Sequence, residues 1–123
     1  MGSRSSIKIT QPWAKEPIYL YTHWEGHRIC ELLANGVIRT EYSGRSKDPS
    51  YATRIIFDEL TECSRTETGF SISSGHPDDD DYEIPEVSWT DDYEMVITYE
   101  AKTYTPQQWL MKFTQVLSAT TTN

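Results

Sequence analysis

Hydrophobic and polar positions along this chain switch between a period of two and a period near 3.6, and the switches divide it into elements. Ile7-Lys8-Ile9-Thr10-Gln11 alternates as a short strand stopped by Pro12. Ile18-Tyr19-Leu20-Tyr21 alternates little and is mostly β-branched or aromatic, as expected of a central strand buried on both faces. Thr22 followed three residues later by Glu25 fits a capping box, so the spacing predicts a helix from His23 to about Ala34, closed by Asn35-Gly36. Residues 41–47 read as loop. Asp48 and Pro49 open a second helix whose apolar face is Tyr51, Ala52, Ile55, Ile56, Leu60 and Cys63, widened by Phe57, with Asp58, Glu59 and Glu62 facing water. Gly69 to Ser73 alternates as a strand. Glu83 to Trp89 and Tyr93 to Glu100 read as two more, joined at Thr90-Asp91-Asp92. Thr105-Pro106-Gln107-Gln108 is another capping box, opening a helix that carries Trp109, Leu110, Phe113, Val116 and Leu117.

The element order is therefore β-β-α-α-β-β-β-α. It predicts an α+β fold: a single domain with a mostly antiparallel sheet of about five strands and about three helices on one face. Residues 1–6 are expected to form a disordered or non-native tail, 7–118 the domain, and 119–123 a frayed end. On the last strand Tyr93, Met95, Ile97 and Tyr99 share one face and Glu94, Thr98 and Glu100 the other, with Glu86 and Ser88 among the outward residues. The sheet should be apolar toward the helices and acidic on its open side.

Charge sharpens that picture. Residues 1–65 hold nine basic and eight acidic side chains, whereas residues 66–123 hold two basic and eleven acidic. No lysine or arginine lies between Arg65 and Lys102. Such a block argues against direct nucleic-acid binding, which needs clustered cations to displace counterions. It suits a basic partner protein, a divalent ion, or solubility alone. Asp78, Asp79, Asp80, Asp81, Glu83, Glu86, Asp91, Asp92 and Glu94 could together present a phosphate-like surface to a basic cleft, although acidic faces more often serve only solubility. The aspartate run lacks the alternate-residue ligands and glycine of a calcium loop. No long apolar run or signal segment is present, and two cysteines make no disulfide framework, so a reducing cytoplasm is the expected location and no membrane partner is expected. A homo-oligomer is compatible with the pattern.

Candidate chemistry gathers at the predicted strand–helix junction. Free N–H groups at a helix start, with His23, His27 and Arg28 nearby, could receive an anionic group, and Tyr21, Thr22 and Trp24 would complete a small-molecule pocket. The spacing of His23, His27 and Cys30 would place two imidazoles and a thiol on one helix face, in reach of a zinc ion. The plainer reading is a core cysteine beside Leu33 with hydrogen-bonded histidines. Gly26 in the first turn implies that something packs closely there. Phosphate loops, nucleophile elbows and paired catalytic carboxylates do not emerge, so an enzyme ranks last, no catalytic residue is assigned and no cofactor is expected.

Three segments carry a resemblance: Tyr19-Leu20-Tyr21-Thr22-His23-Trp24-Glu25-Gly26, Asp48 to Phe57, and Glu67-Thr68-Gly69-Phe70-Ser71-Ile72-Ser73. They resemble a group of small uncharacterised phage and prophage proteins with a "YLYTHW-G-G" start, a "SYLARIIF" helix and an "ETGYGIS" strand, over residues 18–113. Glu25 stands where that group has glycine. The resemblance implies no catalytic residue. It implies a setting, an accessory protein acting on host machinery or host defence, and adds weight to Tyr21, Thr22, His23 and Trp24. The favoured expectation is an acidic inhibitor of a host or anti-phage-defence protein. The alternative is a small-molecule (nucleotide-signal) binder that uses the Tyr21–Arg28 junction.

Overall fold

The structure, a computed structural model, describes residues 2–62, 66–76 and 80–114. Six strands form one open sheet: β1 (Ser5–Thr10), β2 (Ile18–Thr22), β3 (Phe70–Ser73), β4 (Glu86–Trp89), β5 (Met95–Tyr99) and β6 (Lys102–Tyr104). Their order across the sheet is β3-β2-β1-β4-β5-β6, antiparallel throughout except for the β1–β4 pair. Three helices accompany them: α1 (Ile29–Tyr42), α2 (Pro49–Thr61) and α3 (Pro106–Phe113). This is the α+β domain that the periodicity predicts, with one more strand. Among the described residues no helix is long and apolar enough to cross a membrane.

Register decides which side chains meet. Ile7 stands opposite Leu20, and Ile9, Val87 and Ile97 stand in line across three strands. All five are fully buried, in one core with Leu33, Val37, Ala52, Ile56, Leu60 and Trp109 from the helices. At about 25 cal/mol per Å² of apolar surface, such a face is the main reason the sheet and helices associate. Trp109 is the pivot of α3. It lies edge-on to Tyr99 and Tyr104, with ring centroids 5.7 and 5.3 Å away, and tilts onto Phe113 at 4.2 Å. The predicted capping box positions it: the Thr105 hydroxyl accepts from the Gln108 N–H at 3.1 Å, and the Gln108 side chain accepts from the Thr105 N–H at 2.8 Å.

The first helix differs from its expectation at both ends. A short 3₁₀ turn, Gly26–Arg28, precedes it, and α1 starts only at Ile29. The cause is competition for backbone groups. The Thr22 hydroxyl accepts from the Glu25 N–H as a capping residue would, but Glu25 turns its carboxylate to Arg28 at 3.0 Å instead of returning it. The Gly26 N–H donates to the Ser3 carbonyl, so the chain before β1 takes up what a regular first turn would use. At the far end α1 runs straight through Asn35-Gly36 to Tyr42. Gly36 is buried where α1 meets α2: a Cβ there would stand 3.1 Å from the Ile56 Cα. Close helix packing outweighs the roughly 1 kcal/mol that glycine costs in a helix.

Residues 3–6 are no loose tail. Ser5 and Ser6 belong to β1 and are fully buried, and Ser3 donates its N–H to the His23 carbonyl at 2.7 Å. The expected end of α3 at Val116 and Leu117, and Cys63 on α2, lie outside the described residues.

Candidate functional site

Strand periodicity sorts the junction residues. Thr22 follows Leu20 on the helix side and is fully buried, and its hydroxyl serves the turn by accepting from the Glu25 N–H. Tyr21 and His23 belong to the open face, where the Tyr21 hydroxyl and His23 Nδ1 share a hydrogen bond of 2.9 Å. The Trp24 ring stands edge-on to His23 at 4.5 Å and is half exposed. β3 supplies the opposite wall. Its antiparallel register places Ser71 beside Tyr21, and the His23 N–H donates to the Gly69 carbonyl at 2.8 Å. Gly69 has φ +96° and lies flat against the indole, since a Cβ there would meet Trp24 Nε1 at 3.0 Å. Together Tyr21, His23, Trp24, Thr68, Gly69, Phe70 and Ser71 line a pocket of about 290 Å³. Gly2 packs on the other side of the imidazole, where a Cβ would come within 2.7 Å of Nε2.

His27 and Arg28 are carried elsewhere by the 3₁₀ turn. The Ser3 hydroxyl accepts from the His27 N–H at 2.9 Å and bonds His27 Nδ1 at 3.0 Å, while Arg28 pairs with Glu25. These two residues line a separate pocket of about 220 Å³ with Cys30, Tyr82, Tyr99 and Phe113. There, burial pushes the Cys30 thiol up to about 11 against the lowering effect of its hydrogen bond to Tyr99. Burial likewise raises the Tyr99 hydroxyl, helped by Cys30. At neutral pH both stay protonated, which keeps the thiolate fraction of Cys30 low.

The proposed zinc triad does not assemble. His23 precedes the helix and faces a different pocket from His27 and Cys30. No metal-competent group of three or more His, Cys, Asp or Glu side chains exists among the described residues.

The acidic surface is largely tied down. Arg4 holds the Asp81 carboxylate through its backbone N–H at 2.9 Å and its guanidinium at 3.2 Å, which keeps that carboxyl below the usual range. Asp80 bonds His76 at 2.8 Å and accepts from the Ser6 hydroxyl at 3.2 Å. Glu86 accepts from the Thr10 hydroxyl at 2.7 Å with Lys8 at 4.0 Å, and Glu94 meets Lys47 at 3.0 Å. The expected acidic open side is in fact mixed: register lines Ser73, Tyr19, Lys8, Glu86, Thr98 and Thr103 across it. His76 stacks on Tyr19 at 4.7 Å, so the segment after β3 covers part of that face. Glu83, Asp91 and Asp92 are exposed with no salt bridge among the described residues. Asp78 and Asp79 lie outside them. On the second helix, Asp58 and Glu59 do not simply face water, because both bind Arg39 of α1, at 2.9 and 3.0 Å.

The pocket walls from β3, and the Ser3 and Arg4 contacts, were not foreseen from sequence. The signal was Gly69, whose positive φ permits the close approach to Trp24. Comparison with protein-family models, curated proteins and solved structures yields no match.

Proposed function

We propose that the protein binds a small planar, uncharged ring compound in the pocket between the end of β2 and β3. One observation supports this most: three of the six junction residues, Tyr21, His23 and Trp24, converge on a single pocket that contains no lysine, arginine or carboxylate. The half-exposed Trp24 offers a stacking face, and the exposed Ser71 offers a hydrogen bond at its margin. A volume of about 290 Å³ suits one or two fused rings. Phosphate groups are poorly served, because Arg28 is engaged by Glu25 beside the other pocket. A nucleobase or nucleoside therefore fits better than a nucleotide. The resemblance to phage proteins supports a role in sequestering such a compound in the host.

Titration of the protein with purine and pyrimidine nucleosides, followed by tryptophan fluorescence and amide chemical shifts, tests the reading. Shifts confined to residues 21–24 and 68–71, lost in Trp24→Ala and unaffected by Asp91→Lys/Asp92→Lys, are expected. Absence of shifts there at millimolar ligand would reject it.

A second reading retains inhibition of a basic host or defence protein through Glu83, Asp91 and Asp92, favoured by their exposure and by the net charge of −8. It requires the opposite outcome, with the double lysine variant losing the partner and Trp24→Ala keeping it.

A further inference from the structure

The two ends of the sheet are not equally protected. β6 is three residues long and carries Lys102, the usual kind of guard on an edge. β3, at the other end, reads Phe70-Ser71-Ile72-Ser73, without a charge, a proline or a bulge. Ile72 is 58 % exposed. No other strand pairs with β3 on its outer side among the described residues.

Hydrogen-bond parity shows what that edge offers. The His23 N–H donates to the Gly69 carbonyl within the β2–β3 register, so Gly69, Ser71 and Ser73 direct their backbone groups toward β2. By alternation Phe70 and Ile72 direct theirs outward. Two outward positions flanking one small residue are what a two-fold axis through that residue requires. From this geometry we infer that β3 pairs antiparallel with β3 of a second copy of this chain, centred on Ser71.

In that register Phe70 of each copy stands opposite Ile72 of the other and exchanges both backbone hydrogen bonds with it, four bonds in all. Paired side chains share a face, so each exposed Ile72 covers the second copy's Phe70 on the helix side. On the open side Ser71 meets its own counterpart, and Ser73 of the second copy stands beside Gly69, the residue that backs Trp24. The second copy thereby extends the wall of each pocket. No charged side chain enters the paired strands, so copies that each carry a net charge of −8 meet along an uncharged seam. The alternative centre, Ile72 on itself, would also satisfy backbone groups but would leave Phe70 facing Ser74, without an apolar partner. The contact is short and falls below the ~1,200 Å² of a stable complex, so the dimer is a reversible one. The inference stands on the edge alone, whether or not the pocket takes a ligand.

Sedimentation equilibrium of the full chain, from micromolar to about millimolar, should show the mass rising from 14.2 kDa toward twice that value. Ile72→Pro removes only an outward N–H, leaving the ladder to β2 intact. It should remain monomeric over the same range with an unchanged circular dichroism spectrum. Cross-linking checks the register. Ser71 counterparts in a non-hydrogen-bonded pair lie about 4.5 Å apart between Cα atoms, within disulfide range. Ser73 counterparts lie about 14 Å apart. With copper–phenanthroline as oxidant, Ser71→Cys should form dimers at least tenfold faster than Ser73→Cys, and the wild-type chain gives the background from Cys30 and Cys63. A wild-type chain that stays monomeric to millimolar, an Ile72→Pro variant that dimerises equally, or equal cross-linking at both positions overturns the inference.

Discussion

The β5–β6 hairpin turns on two residues, Glu100 and Ala101, with φ of 50° and 65°. Both central residues of a two-residue turn at positive φ define the type I′ hairpin, whose twist matches the strands but whose usual sequence is Asn-Gly. An L-residue held in the left-handed region costs about 1 kcal/mol, so the wild-type turn stores about 2 kcal/mol. Replacing the pair as Glu100→Asn/Ala101→Gly relieves most of that. Against it stands the greater unfolded-state freedom of glycine, about 0.5–1 kcal/mol. Both side chains are exposed, so no packing is lost. The double variant should be more stable by about 1 kcal/mol, with a midpoint of thermal unfolding higher by about 4 °C for a chain of this size. Urea titrations read by tryptophan fluorescence measure the difference, and the slope should not change because the same surface is exposed on unfolding. Ala101→Val is the control: a β-branched residue at that φ should lower stability by more than 1 kcal/mol. An unchanged or less stable double variant at unchanged slope would refute the strain argument.

Three further outcomes follow from single contacts. Gly36→Ala gains about 1 kcal/mol of helix propensity, yet its Cβ would press on the Ile56 Cα and Cγ1 at 3.1 Å. Backbone cannot swing aside, and overpacking costs about 1–3 kcal/mol, so urea unfolding should show net destabilisation of about 1 kcal/mol; a more stable variant would mean α1 and α2 separate freely. Arg4 lowers the Asp81 carboxyl pKa, so the pair stabilises the fold above the ordinary carboxylate pKa, about 4, and loses that contribution as pH falls through the lowered value. The stability gap between wild type and Arg4→Ala should therefore narrow between pH 5 and pH 2, and a gap independent of pH would show the carboxylate is not involved. Burial raises the Cys30 thiol from 9.0 to about 11, so at pH 8 its thiolate fraction is about a hundredfold below that of an unperturbed thiol. Iodoacetamide labelling of Cys30, followed by peptide mass, should be slower by about that factor, and labelling at the rate of a free thiol would place it in a different environment.

Local periodicity made the elements legible and left their ends to long-range contacts. All five predicted strands and all three helices rest on patterns between residues close together in the chain, and Thr105 with Gln108 caps α3 as their spacing requires. β6 escaped because its turn has neither glycine nor asparagine to mark it. α1 ran past Asn35-Gly36 because that pair, ordinarily a stop, lies under Ile56, some twenty positions away in the chain. The open side was expected to be acidic from alternation alone, but Lys8 from β1 enters the same row as Glu86 through the one parallel pairing in the sheet, which no local pattern announces.

The junction shows the same limit in its sharpest form. Six neighbouring residues suggested one site, and contiguity is a poor guide where a strand ends. With period two, Tyr21 and His23 share a face and Thr22 must lie on the other, inside. The 3₁₀ turn then swings His27 and Arg28 to a second pocket, and that turn exists because Ser3 takes the Gly26 N–H. A Cβ on residue 26 would come within 2.6 Å of the Ser3 carbonyl, so the glycine does mark a close approach, as its place in the sequence suggested. What approaches is the start of β1, not a ligand. Division of five of the six residues between two pockets, with Thr22 in neither, is thus a consequence of where the first strand begins, and any compound that engages Tyr21 and Trp24 is held by β3 on its other side, not by Arg28.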